Sequence, residues 1–199
     1  MDFFPKNYSQ PKAESNYLKL VEGENTFRIL SPMITGWEGW KTQDDKTKKP
    51  VRCKQDESIN IDEIDDPDEI RFFWAFICWN CVDKKIQIFE IRQRTIQKSL
   101  GAIIRKWGSP DAYDITIEME KTGALPKDVK YTVIPNPATK LDESIKKVYE
   151  DIEIDLEKLY VGEDPYIKND KKTPQIANKE QINTKEEVEE EIDISDINL

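Results

Sequence analysis

The chain has no histidine and only three cysteines among its 199 residues. Without an imidazole, a Ser-His-Asp triad, a Cys-His pair and most catalytic zinc sites are excluded. Three cysteines cannot form a disulfide framework and suit a reducing compartment. No apolar run reaches membrane-spanning length, and Met1-Asp2-Phe3-Phe4-Pro5 lacks the basic-then-apolar order of a secretory signal. These gaps lead to the expectation of a cytoplasmic protein that is not an enzyme, takes no cofactor and meets no membrane.

Charge of one sign is also unevenly spread. The net charge is −10, yet Met1 to Lys140 holds 22 acidic and 22 basic residues. Leu141 to Leu199 holds 18 acids and 8 bases, and so carries the whole excess. An acidic pI therefore leaves room for a basic surface on the folded part.

Residues 1–15 are polar with two prolines and read as a flexible N-terminal arm, in which Phe3-Phe4 either tucks back or serves self-association. Residues 16–140 read as one β domain. Tyr17–Leu20 and Thr26–Leu30 alternate apolar and polar around a Gly23-containing break, as a hairpin or one long bent strand. Ser31 to Trp40 is rich in breakers, and a basic, loop-like stretch follows. Residues 71–79 and 85–91 are strands. Ile96, Leu100, Ile103, Ile104 and Trp107 then fall on one helical face, closed by Gly108 and Pro110. Residues 113–119 and 129–134 alternate again. A helix between the third and fourth strands of a five-stranded barrel is the element order of an OB-fold. Leu141, Ile145, Val148, Ile152, Leu156 and Leu159 predict an amphipathic C-terminal helix over 141–162, packed on the barrel. Residues 163–199 predict a disordered acidic tail.

Chemistry is concentrated in the aromatics. Residues 72–79 are apolar on both parities, with Phe72, Trp74, Phe76 and Cys78 on one side and Phe73, Ala75, Ile77 and Trp79 on the other. A barrel strand needs one apolar face, so the second set needs either the C-terminal helix as cover or a flat ligand. Trp37 and Trp40 stand beside Lys41, Lys48, Lys49, Arg52 and Lys54, a pairing of rings and cations that suits unpaired bases and their phosphates. The expected contact set is therefore Trp37, Trp40, Trp74 and Trp79 with those five cations. Cys78-Trp79-Asn80-Cys81 has half the spacing of a zinc knuckle, but a fourth ligand is missing, so no metal is expected. The acids from Asp62 to Glu69 fit a solvated turn better than a two-metal nuclease centre.

Tyr17-Leu18-Lys19-Leu20 with Gly23-Glu24-Asn25, then Phe27–Pro32 and Gly36-Trp37-Glu38, resembles the opening of tailed-phage single-stranded DNA-binding proteins. Phe73–Phe76 with Trp79, Tyr113–Ile117 and Tyr131–Val133 resemble their later strands. The resemblance covers roughly residues 16–165. It implies an OB-fold, a host-cytoplasm location and non-sequence-specific binding of single-stranded DNA in phage replication or recombination. The alternative is a protein-binding adaptor of the replication machinery without strong DNA affinity. The tail residues Glu189, Glu190, Glu191, Asp193, Asp196 and Leu199 are the expected partner-binding set, competing with DNA and recruiting replication proteins.

Overall fold

A computed structural model describes residues 15–123, 125 and 128–167. The N-terminal arm before Ser15 and the tail beyond Ile167, with all six expected partner-binding residues, lie outside the described residues.

Seven strands form a single antiparallel sheet: β1 (Gly23–Ile29), β2 (Ile34–Thr42), β3 (Lys48–Lys54), β4 (Arg71–Asn80), β5 (Lys85–Ile91), β6 (Tyr113–Lys121) and β7 (Val129–Ala138). Their order is β3-β2-β4-β1-β6-β7, with β5 on the other edge of β4. No pairing among the described residues joins β7 to β3 or β5, so the sheet stays open. That corrects the expected closed, five-stranded barrel.

The central strand explains the layout. Along one edge, the first half of β4 pairs with β2 (Ile34↔Ala75 to Glu38↔Arg71), and its last residues pair with β1 (Phe27↔Asn80 to Ile29↔Cys78). β1 and β2 therefore act as one long strand bent at Leu30–Met33. Pro32 has no N–H to continue the ladder. Leu30 N donates to Ile77 O at 2.9 Å, and the Ser31 hydroxyl replaces a carbonyl by accepting from Ile77 N at 2.9 Å. Of the hairpin and the bent strand open for 17–30, the structure has a bent strand that begins later, at Gly23, and runs further, to Thr42. Tyr17 keeps only a parallel bridge to Ile88.

β2 and β3 are strands where a breaker-rich segment and a basic loop were expected. Gly36 and Gly39 break the apolar alternation, but each makes room for a neighbour. A Cβ on Gly36 would lie 2.1 Å from the Cys53 carbonyl oxygen, and one on Gly39 would lie 2.6 Å from Ile64 Cγ2. Between the glycines, Glu38 faces inward and is 1% exposed.

α1 (Arg94–Trp107) stands between β5 and β6, where the period predicted it, and ends at Gly108 with φ +87°. Its face packs Ile96 and Leu100 into a first core with Phe27, Phe76, Phe89, Tyr113 and Ile115. A second core lies on the other side of β4, where Phe73, Ala75, Ile77 and Trp79 meet Leu156, Leu159 and the half-buried Ile145, Val148 and Tyr160. The C-terminal segment is therefore the cover that the second parity required, and that face is no stacking platform. It is not one helix over 141–162. α2 spans Glu143–Glu150, and a 3-10 turn spans Leu156–Val161. Asp155 caps the turn by accepting from Glu157 N at 3.0 Å, and Ile154 is held extended by a bridge to Tyr166.

Candidate nucleic-acid interface

A groove of about 830 Å³ opens where β2, the start of β4 and α1 converge. Three rings line it. Trp37 on β2 stands directly across from Phe72 on β4, with ring centroids 5.0 Å apart in an edge-on pair. Trp74, two residues along β4 and so on the same face, lies against the helix. A Cβ on Gly101 would sit 3.5 Å from Trp74 Cη2, so the indole rests on bare helix backbone. Trp37 remains 38% exposed.

Five cations stand beside the rings, with Gln55, Ile70, Gln97 and Gly101. Arg94, Lys98 and Arg105 recur at i, i+4 and i+11 along one stripe of α1, with Gly101 at i+7. Arg71 and Arg92 complete the set, and no carboxylate among the described residues lines the groove. Arg71 is anchored by donating to the carbonyls of Asp68 at 2.7 Å and Ile70 at 2.9 Å.

Arg92 is fixed by a charge quartet. Its Nε donates to Glu38, and its Nη2 donates to Glu38 Oε2 and Glu90 Oε2, each at 2.8 Å. Arg52 closes the ring by donating to Glu38 at 2.7 Å and to Glu90 at 2.9 and 3.1 Å. Two acids and two bases cancel, which makes it tolerable to bury the Glu38 and Arg52 side chains while Glu90 and Arg92 stay part-exposed. Burial works against the Arg92 charge, but hydrogen bonds and attraction from Glu38 and Glu90 outweigh it and hold the guanidinium above its ordinary value. The guanidinium also stacks over Trp40, 5.6 Å from its centroid.

The sequence-expected contacts divide accordingly. Trp37 and Trp74 line the groove. Trp40 lies on the opposite face of β2, half-buried beside Arg92, and borders a neighbouring cavity of about 810 Å³. Trp79 is buried in the second core, so it offers no surface to a base. Arg52 is spent on the quartet and on the Phe73 ring, 5.0 Å below it, so it has no free phosphate-contacting end in the groove. Lys54 is paired with Glu157 at 2.6 Å, and Lys41 stands 4.0 Å from Asp65. Lys48 and Lys49 are exposed on the β2–β3 hairpin, away from the groove lining. Phe72, Arg71, Arg92, Arg94, Lys98 and Arg105 were not among the expected contacts. A signal for most of them was present: from Arg92 to Lys106 the sequence holds five bases and no acid, three of them at helical spacing.

The other candidate chemistries resolve locally. Cys78 is wholly buried, and burial pushes its thiol well up; burial likewise raises Cys81, to about 11. No group of three or more His, Cys, Asp or Glu side chains among the described residues is placed to hold a metal ion. In the acidic loop, Asp66 caps a 3-10 turn and Asp65 ties the end of β2 by accepting from Thr42 N at 2.8 Å and Thr42 Oγ1 at 2.5 Å. No family model, no curated protein and no solved structure matches this chain.

Proposed function

We propose that the chain binds single-stranded DNA without marked sequence preference, in the groove between β4 and α1. The observation that carries this reading is a cavity lined by three aromatic rings and five cations, with no carboxylate among the described residues. Rings stack on the faces of unpaired bases, at about 1–3 kcal/mol per base, and cations follow the phosphates. Base pairs in a duplex are already stacked and hide those faces, so the single strand is the favoured form. The rings and all the cations but Arg92 sit on regular elements, and Arg92 is held by its ion pairs to Glu38 and Glu90, which keeps the spacing fixed before the strand arrives. The resemblance of the opening segment to tailed-phage proteins supplies the biological half of the proposal: protecting single strands during phage replication or recombination in the host cytoplasm.

Titration with a thymidine oligomer, followed by tryptophan emission at two salt concentrations, tests the reading. Emission should be quenched. Affinity should fall with salt at a slope of about −0.7 per phosphate contacted, reaching about −3.5 if all five groove cations engage. Equal affinity for a duplex of the same length would rule it out. No binding at all would favour the adaptor function.

A further inference from the structure

Gln97 lies on α1 between Arg94 and Lys98 and lines the groove, yet it is only 8% exposed. Its Nε2 donates to two backbone carbonyls, Phe72 O at 3.0 Å and Ile91 O at 2.9 Å. The amide thus ties the helix to β4 and to the end of β5. Only the NH2 end of an amide can serve two carbonyls, so its orientation is chemically determined. The oxygen Oε1 takes the other position, and it accepts no hydrogen bond from the described residues. It is not sealed in, because no buried side-chain oxygen among the described residues lacks a partner. Gln97 is one of the residues that line the groove.

Gln97 sets a fixed neutral acceptor among the rings and cations of a wall that also holds Gln55 and Ile70. Phosphate diesters carry no proton at neutral pH and gain nothing from it. Base edges do carry donors. We propose that Gln97 reads the edge of a stacked base and favours cytosine, adenine and guanine, which have an exocyclic amino group, over thymine and uracil. The single edge N–H of thymine or uracil is flanked by two carbonyl oxygens, so approaching it brings two acceptors towards Oε1. This inference rests on the single-strand reading above and adds to it a preference at one subsite.

The test compares deoxycytidine and deoxyuridine oligomers of about eight nucleotides, which match in ring size and lack the thymine methyl. The wild-type protein should bind the cytidine oligomer about three- to tenfold more tightly, the yield of one neutral hydrogen bond. Gln97→Lys retains N–H donors for the two carbonyls and removes the acceptor. Its added charge strengthens both complexes alike, so the ratio is the readout, and it should fall to about one. Gln97→Met, similar in length and without polar atoms, serves as a second variant, with a thermal melt to check its fold. A ratio near one in the wild type overturns the inference, as does a ratio that persists in either folded variant. Loss of binding to both oligomers overturns the groove itself, whereas tight and equal binding overturns only the role of Gln97.

Discussion

Burial assigns different jobs to tryptophans that look alike in the sequence. Trp37, part-exposed in the groove, and Trp79, 4% exposed in the second core, lie on paired parts of the same sheet. Trp37→Ala should weaken oligonucleotide binding by about 1–3 kcal/mol while the urea midpoint barely moves. Trp79→Ala should instead cost about 3–5 kcal/mol of stability, read in the same urea titration. Glu38 is the other residue whose role only its partners reveal. It accepts from both Arg52 and Arg92 and is almost wholly buried. Glu38→Ala leaves two guanidiniums facing each other with Glu90 alone between them. A loss of about 3–5 kcal/mol is expected, the cost of an uncompensated buried charge. A urea midpoint unchanged by this substitution would show that the quartet contributes little.

Helix α1 and the β2–β3 hairpin can each be tested as a unit. The stripe Arg94, Lys98 and Arg105 is exposed on α1 and makes no salt bridge among the described residues. Replacing all three by alanine should leave the melting temperature nearly unchanged, since the helix is anchored by Ile96 and Leu100. The same replacement should reduce the salt slope of binding by about 2, the value for three phosphates. An unchanged slope would move the DNA path off the helix. The β2–β3 hairpin depends instead on close backbone approach. Gly36→Ala puts a methyl into the Cys53 carbonyl oxygen and against Phe73 and Tyr160. Backbone cannot give way as a flexible side chain can, so at least the about 1–3 kcal/mol typical of overpacking is expected, measured by denaturant melting.

At the scale of the molecule, charge segregation governs. The described fold carries a groove of one sign, while the sequence from Leu141 onward holds the entire net charge of −10. Glu186 to Leu199 contains seven acids and no base. A polyanion tethered to a cationic groove acts at an effective concentration on the order of millimolar. Deleting residues 186–199 should therefore tighten oligonucleotide binding at low salt. The gain should vanish at moderate salt, where screening already removes the competition. Equal affinities for the full-length and shortened chains at both salts would leave the tail without a competitor role.

Periodicity and breakers alone determined much of this protein. A continuous apolar run over 71–79 and alternation over 85–91 and 113–119 located three strands, and the spacing of Ile96, Leu100 and Ile103 located the helix, because these segments bury apolar side chains in a regular pattern. The sequence also marked Trp37 and Trp74, two of the three rings of the groove, and left the second face of β4 to either a cover or a flat ligand. Tertiary structure decided the rest. β2 and β3 were hidden because their inward positions hold Glu38 and Arg52, which no hydrophobic pattern marks and which only their mutual pairing makes buriable. The sheet stays open because β4 is shared end to end by β1 and β2, a division set by the Pro32 break and by where the chain turns back. Which cations face the groove was likewise a matter of packing. Arg52 went to Glu38 and Glu90, Lys54 went to Glu157, and the helix, with no acid of its own, kept Arg94, Lys98 and Arg105 for the groove. A sequence gives the charge of each side chain, but only the fold sets which opposite charges come within reach of it.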